Sequence, residues 1–227
     1  MGRVTRKIPL QLAVGATCLL FYMLFWSGHH YSIDGVVMFQ YAKALWFHHS
    51  FKMTPPVVWG SYQIAAPRWP IGMSLAYVPV LAVLSATIFA GDASFQQIPY
   101  KAGVAYNPEL LSNRPYLYSS ILNPVVTALS AVVLYELAIE LGLSRRRAAA
   151  SALIFGVASP AAVYAKLDFA QPLASLFLLA ALLLLLRGQR GHSAGQLLWS
   201  GVSLGCSALV RPEVPWPSRY ATSGNCL

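Results

Sequence analysis

The chain has 227 residues, of which 57% are hydrophobic and only 10% are charged. Because a soluble domain carries roughly 25% charged residues, this composition excludes an ordinary soluble protein and indicates an integral membrane protein. The formal net charge is +9, but the arginines stand in short clusters beside apolar runs, which is typical of topology signals rather than of nucleic-acid binding. The three cysteines are scattered and imply neither a disulfide framework nor a metal site.

The first apolar run, Ile8–Trp26, follows three basic residues and no acid. It is long enough to cross a membrane as a helix, which takes ~20 residues. A signal peptide would have a shorter apolar core of ~7–15 residues and a small-residue cleavage site, whereas the sequence after this run is SGHHYS. We therefore expect an uncleaved first span with a cytoplasmic N-terminus, followed by an outer loop.

The long outer loop, residues 28–116, begins with a helix-forming stretch, Tyr31–Phe51, that carries Asp34 in its first turn. One interpretation is that Asp34 only complements the helix dipole. The next stretch is rich in proline and aromatic residues and predicts irregular backbone near the membrane interface. It is followed by Ile71–Ala90, which is apolar and of helix length but contains Pro79.

Four more apolar runs of helix length follow, at Leu117–Leu141, Ala148–Ala165, Leu173–Leu186 and Ala194–Val210. Positive clusters come after the first run, at Arg145–Arg147, and after the third, at Arg187 and Arg190. If both clusters are cytoplasmic, the short loop with Asp168 lies outside and an even number of crossings precedes Arg145. Ile71–Ala90 is then a re-entrant or peripheral helix, and Asp34 and Asp168 face the same, outer side.

The sequence thus predicts an all-α, multi-span transmembrane bundle in the plasma (inner) membrane, with juxtamembrane helices in a long first extracytoplasmic loop. Residues 1–212 form this membrane region. Residues 213–227 are an irregular tail that abruptly loses the apolar pattern. Such a tail predicts a truncated or frame-shifted end, and hence an N-terminal fragment; the sequence leaves open whether this fragment is active by itself.

Two carboxylates on one membrane face are what an outward-opening active site needs. Asp34 can act as a general base whose pKa is tuned by partial burial, and Asp168 can position it or bind a cation. Two other acids, Glu136 and Glu140, lie near the cytoplasmic end of a span. We expect them to snorkel or to pair with Arg145–Arg147.

Arg68 precedes Ile71–Ala90 in the sequence Ala-Pro-Arg-Trp-Pro. Its guanidinium can form a bidentate interaction with a phosphate at the membrane surface, or it can serve as an interfacial anchor beside Trp69. The histidine pairs at positions 29–30 and 48–49 point in different directions on a helix and do not predict a zinc site. Several aromatic residues of the loop, including Tyr77, are expected to form an interfacial belt.

Three motifs resemble those of the GT-C superfamily of membrane glycosyltransferases, which includes the protein O-mannosyltransferases and the lipid A aminoarabinose transferases. They are Tyr31-Ser32-Ile33-Asp34, Arg68-Trp69-Pro70-Ile71-Gly72 and Tyr164-Ala165-Lys166-Leu167-Asp168 with Gln171-Pro172. The resemblance covers residues 8–210 and rests on the order, spacing and membrane side of these motifs. Members of the superfamily have about twice as many spans as this chain.

The resemblance implies transfer of a sugar from a polyprenyl-phosphate-linked donor to a hydroxyl of a lipid, glycan or protein acceptor, with inversion. Asp34 would be the general base, and the substrate-binding residues would be Arg68 at the phosphate, together with Asp168 and Tyr31. Where the family often has a second acid, this chain has Gly35 and Gln171, which weakens a metal-binding role. No cofactor is indicated, although a divalent cation is compatible with the resemblance.

A second hypothesis is a non-catalytic multi-span protein, such as half of a transporter or an assembly subunit. A transporter would place ionisable residues or broken helices near the bilayer midplane. The acids here stand at span ends and in the outer loop, which favours chemistry at the membrane surface.

Overall fold

A computed structural model describes residues 9–26, 28, 33–53, 57–59, 62–64, 70–96 and 114–211. Most of these residues are helical. The helices are α1 (Leu10–Leu24), α2 (Ile33–His48), α3 (Gly72–Ala86), α4 (Ala93–Gln96), α5 (Arg114–Ser119), α6 (Leu122–Glu140), α7 (Arg145–Ala158), α8 (Pro160–Tyr164), α9 (Gln171–Gly191) and α10 (Ala194–Val210). Two helical stretches of this part of the chain, Leu117–Glu140 and Gln171–Gly191, are long and apolar enough to cross a membrane.

The first loop also contains a short antiparallel hairpin where irregular backbone was expected. Strand β1 (Val57–Trp59) pairs with β2 (Tyr62–Ile64), with Val57 opposite Ile64. Both strands consist largely of β-branched or aromatic residues, and two residues, one of them a glycine, separate them in the sequence. Such a sequence favours a β-hairpin. The prolines on either side of it led to the prediction of irregular backbone instead.

The helices from α6 to α10 form an ordered bundle in which α6 and α9 run in the same direction. At one end of this pair, the Asn123 side-chain amide donates a hydrogen bond to the Phe169 carbonyl (3.0 Å). At the other end, Arg187 contacts Glu136 (2.7 Å). Helix α10 runs antiparallel to α9 and packs against it. Its Ser200 hydroxyl donates a hydrogen bond to a carbonyl in the middle of α9 (2.8 Å).

Helix α1 packs antiparallel to α6 and also contacts α7. The Trp26 indole donates to the Ser120 hydroxyl just before α6 (3.0 Å). One turn earlier, the Tyr22 hydroxyl donates to the Gly156 carbonyl of α7 (2.7 Å). Cys18 is fully buried in the same contact. Helix α1 therefore closes the side of the bundle formed by α6 and α7.

The bundle has two ends with different chemistry. The end at which α1 finishes, α6 begins and the loop between α8 and α9 lies is named the Asp168 end. The opposite end is named the arginine end, and it holds Arg145–Arg147, Arg187 and Arg190.

The acids at the arginine end have different partners from those the sequence suggested. Glu136 and Glu140 each lie 2.7 Å from the Arg187 guanidinium, and Glu140 also lies 3.1 Å from Arg190. The expected pairing with Arg145–Arg147 is wrong. The parallel alignment of α6 and α9 brings the end of α9 beside both carboxylates, and this alignment cannot be read from spacing along the chain.

Helix α3 lies across the Asp168 end instead of running along the bundle. At its start, a Cβ on Gly72 would stand 2.7 Å from the backbone of Val210, the last residue of α10. Just past its finish, the Phe89 ring lies 6.1 Å from the Tyr118 ring of α5, close before α6. Both of these neighbours belong to the same end of the bundle. Helix α3 is therefore peripheral to the bundle.

The contact between α1 and α7 leads to a stability prediction. A Cβ on Gly156 would stand 2.5 Å from the Cys18 sulfur, whereas a Cβ on Gly201 of α10 would meet nothing within 4 Å. We expect Gly156→Ala to be less stable than Gly201→Ala by about 1–3 kcal/mol, because the core is overpacked. Thermal unfolding in detergent measures the difference, and the control variant carries the same gain in helix propensity.

Adding Cys18→Ala removes the clashing sulfur and should restore most of the lost stability of Gly156→Ala. If the two single glycine variants unfold at the same temperature, the close contact between α1 and α7 is wrong.

Candidate functional site

Asp34 lies in the first turn of α2 and is half-buried. Burial raises the pKa of its carboxyl above the usual value for aspartate, because desolvation disfavours the charged form. A carboxyl whose pKa is shifted toward neutrality is better matched to proton transfer near physiological pH.

The path of the chain places Asp34 at the Asp168 end. Gly28 is buried and has φ +72°, and a Cβ there would stand 2.5 Å from the Leu117 side chain at that end. Asp34 follows six residues later, and six residues reach at most ~20 Å when fully extended. Helix α2 then packs on α3, where the Phe39 and Tyr77 rings meet edge to face at 5.5 Å.

Asp168 is only 2% exposed, although it lies in a loop. The backbone on both sides of it is fixed by one side chain: the Asn123 amide donates hydrogen bonds to the carbonyls of Leu167 and Phe169. Asn123 belongs to the first turn of α6 and is 3% exposed. The position of Asp168 is therefore set by α6 rather than by its own loop.

The loop around Asp168 has two further anchors. The Lys166 ammonium stands 4.5 Å from the centre of the Phe25 ring, a cation–π contact with the end of α1. The Tyr164 and Phe169 rings meet edge to face at 6.0 Å. These contacts close the loop against α1 and across its own base, which limits the freedom of the buried carboxylate.

Tyr77 of α3 is influenced by the charge of Asp168. Burial, and then the negative charge of Asp168, raise the pKa of the Tyr77 phenol well above its usual value. The phenol therefore keeps its proton at physiological pH. Its ring contacts Phe39 of α2, the helix that carries Asp34.

The structure thus places Asp34 and Asp168 at the same end of the bundle; that this end faces the outer side of the membrane stays a prediction. Arg68 and Tyr31, the other two candidate site residues, lie outside the described residues, as do His29 and His30. Among the residues that are described, no three His, Cys, Asp or Glu side chains lie close enough together to hold a metal ion.

Sequence reasoning missed Asn123 and misjudged Tyr77. Tyr77 was expected in an aromatic interfacial belt, but it is fully buried where α3 packs against α2. Asn123 did carry a signal: it is a polar side chain next to Pro124 in a run that is otherwise strongly apolar. A polar residue in such a place needs a partner, but the sequence does not show which.

Lys43 of α2 is 4% exposed, and its ammonium lies 5.5 Å from the centre of the Phe95 ring. Burial lowers the pKa of Lys43 to about 8, and the opposing effect of the Asp92 charge is smaller. Below pH 8 the folded protein therefore holds a buried cation at a cost in free energy. Between pH 8 and about 10.5 the folded protein releases this proton before the unfolded chain does, so stability rises with pH.

We expect the unfolding free energy of Lys43→Met, measured relative to that of wild type, to be higher at pH 7 than at pH 10. This difference between variant and wild type should fall by on the order of 3 kcal/mol between the two pH values, because the wild type loses its buried charge as the pH rises. Scanning fluorimetry of both proteins in detergent across this pH range checks it. A gap that does not change with pH would mean that Lys43 is not charged and buried in the folded protein.

Comparison of the chain with protein-family models, with curated proteins and with solved structures gave no match. The resemblance to the GT-C superfamily therefore rests on the three sequence motifs and on the placement of Asp34 and Asp168 at one end of the bundle.

Proposed function

We propose that the chain is a multi-span membrane glycosyltransferase, or the N-terminal part of one, that works at the outer face of the membrane. It transfers a sugar from a polyprenyl-phosphate-linked donor to a hydroxyl of a lipid, glycan or protein acceptor. In this proposal the Asp168 end faces outward, the arginine end faces the cytoplasm, and the long first loop forms the active site.

The observation that carries the proposal is the clustering of arginines at the end of the bundle opposite Asp168. Arg145–Arg147, Arg187 and Arg190 gather at that end, where Glu136 and Glu140 pair with the last two, while Asp34 and Asp168 belong to the other end. Positively charged ends of spans remain in the cytoplasm, so both carboxylates would face outward. The position of α3 across the Asp168 end supports the same count of crossings.

The chemistry proposed for Asp34 is that of a general base. The acceptor hydroxyl attacks the anomeric carbon from the face opposite the phosphate, the bond to the phosphate oxygen breaks, and the hydroxyl proton moves to the Asp34 carboxylate. The configuration at the anomeric carbon is thereby inverted. Arg68, by the resemblance, holds the phosphate and stabilises its charge as it leaves. Asp168, fixed by Asn123, orients the groups around the base.

The second hypothesis, half of a transporter, has one structural feature in its favour. The helix after the first arginine cluster is broken at Ser159, where α7 ends and α8 begins. Broken helices mark substrate sites in many transporters. However, this break is only five residues from the start of the Asp168 loop, near the end of the bundle. The position of Asp34 and Asp168 at one end of the bundle and the raised pKa of Asp34 favour sugar transfer at the membrane surface.

The test uses the full chain in lipid nanodiscs with a polyprenyl-phosphate monosaccharide that is radiolabelled in the sugar. We expect the label to leave the donor when membrane lipids, glycans and hydroxyl-bearing peptides are offered as acceptors. A nucleoside-diphosphate sugar serves as the control donor and should remain intact. If the label stays on the lipid donor with every acceptor, while solute flux through proteoliposomes depends on the chain, the transporter hypothesis replaces this one.

A further inference from the structure

A partly open cavity of about 330 Å³ lies between α6, the α7–α8 break and α9. This volume falls within the range of small-molecule sites, ~300–1,000 Å³, and far exceeds the roughly 10–15 Å³ that one water molecule needs. Six polar residues line it, and we name it the hydroxyl cavity after them: Thr127, Ser130, Ser159, Tyr164, Gln171 and Ser175.

The cavity lies directly beneath the loop that holds Asp168. Tyr164 and Gln171 line the cavity and also stand at the two bases of this loop. Thr127 lines it one turn below Asn123, and its hydroxyl donates to the Asn123 carbonyl (2.8 Å). Asn123, whose side chain holds the Asp168 loop, therefore stands one helical turn from the cavity wall.

The polar groups of the cavity are arranged to receive a ligand with many hydroxyls. Thr127 and Ser130 already donate their protons to carbonyls of α6 (2.8 and 2.9 Å), so these oxygens are left as acceptors. Tyr164, Gln171 and Ser175 make no side-chain hydrogen bond to any other residue in the described ranges. They add both donors and acceptors.

Among the described residues that line the cavity none is acidic or basic, and Phe155 and Tyr164 contribute aromatic surface. A charged ligand group would lose part of its hydration there without gaining a charged partner among them, which disfavours its binding. A sugar ring, in contrast, presents hydroxyls at its edge and apolar C–H groups on its faces, so it suits both parts of this lining. The volume admits one ring.

We propose that the hydroxyl cavity binds a single neutral monosaccharide ring and so selects the sugar on which the chain acts. The neutral lining favours a hexose with free hydroxyls over an amino sugar, whose ammonium group would remain unpaired. This inference deepens the proposed function and rests on it for the biological role of the sugar. The binding itself does not require transfer.

Saturation-transfer NMR on the full chain in nanodiscs tests the binding. The probes are the methyl glycosides of mannose, glucose and galactose, the methyl glycoside of 4-aminoarabinose, and glycerol. We expect saturable binding of at least one neutral glycoside, and at least tenfold weaker binding of the amino sugar and of glycerol.

Cavity-filling variants locate the binding site. Ser130→Leu and Ser175→Leu, on different helices, should each weaken glycoside binding at least tenfold, while Ser151→Leu on the exposed face of α7 should leave it unchanged. Tyr164→Phe, which keeps the volume, should weaken binding less and serves if the larger side chains prevent folding. Equal binding in wild type and these cavity variants would overturn the proposal, as would equal competition by glycerol, which indicates a cavity that holds only water.

The Asp34→Asn variant separates this inference from the proposed function. It should bind the glycoside as wild type does, because Asp34 does not line the cavity. Binding that depends on the cavity, together with no transfer from any lipid donor, would leave the sugar site in place and reject the transferase. Transfer that is unaffected by Ser175→Leu and Tyr164→Phe would reject the cavity as the sugar site and keep the transferase.

Discussion

Replacing Asp34 with asparagine is expected to lower the rate of sugar transfer by about 10²–10⁴-fold, the usual contribution of a general base. The amide has the size of the carboxylate but cannot take up the acceptor proton. Since Asp34 is half-buried at the start of α2 and its pKa is raised by burial, the neutral amide should not destabilise the fold. The radiolabelled transfer assay, with unfolding temperature measured in parallel, checks both statements.

The matched control is Asp92→Asn, which removes an exposed acid of the same first loop and should leave the rate close to wild type. The pH profile gives a second readout. The base must be ionised to act, and its pKa is raised. As the pH is lowered, the rate should therefore begin to fall at a higher pH than it would with an ordinary aspartate. If Asp34→Asn were as active as Asp92→Asn, Asp34 would not be the base.

Most of the longer helices could be predicted from the sequence because they are apolar or periodic runs, and glycine and proline marked several of their ends. The prediction of one helix over Ala148–Ala165 was wrong, because the structure breaks it at Ser159, before Pro160. The number of membrane crossings, counted from the arginine clusters, stays a prediction. The interpretation of Ile71–Ala90 as a peripheral helix came from that count alone. The structure then placed both ends of α3 at the Asp168 end.

The contacts of the candidate site could not be predicted, because they join residues far apart in the chain. Asn123 meets the Asp168 loop across more than forty residues, and Arg187 meets Glu140 across 47. Both contacts depend on the parallel packing of α6 and α9. Periodicity shows which face of a helix is apolar, but it does not show which helix covers that face.

The hydroxyl cavity illustrates the same limit. Its serines and threonines look in the sequence like ordinary small residues of membrane helices, which back-bond to their own helix. Several of them do so here, for example Ser130 to the Val126 carbonyl (2.9 Å). Only the break between α7 and α8, beside the first turns of α9, brings them around a common space.

The Asn123→Ala variant is expected to lower the transfer rate by about a hundredfold, because a displacement of ~1 Å in a catalytic group can cost that much. Its side chain holds the carbonyls of Leu167 and Phe169 on either side of Asp168. Without it, two partly buried carbonyls lose this donor, and we expect the loop to move until they reach water or another partner. The loss of hydrogen bonds should also lower stability by about 1–3 kcal/mol.

Two further variants separate positioning from general destabilisation. Thr87→Val, just past the end of α3, removes an exposed hydroxyl that donates to the Val83 carbonyl of the same helix (2.7 Å), and it should leave the rate near wild type. Asn123→Asp keeps the shape but replaces the donating amide by a carboxylate, which repels both carbonyls and the charge of Asp168. It should therefore be at least as slow as Asn123→Ala.

The kinetic pattern decides whether Asn123 acts through Asp168. A positioning role predicts a lower kcat and an unchanged acid limb of the pH profile, because the Asp34 base keeps its own surroundings. If Asn123→Ala instead misfolded in part, the total transfer rate would fall in proportion to the amount of folded protein that is recovered. If Asn123→Ala transfers sugar at the wild-type rate per folded molecule, the placement of Asp168 by α6 has no part in the reaction, and Asp34 alone would carry the site.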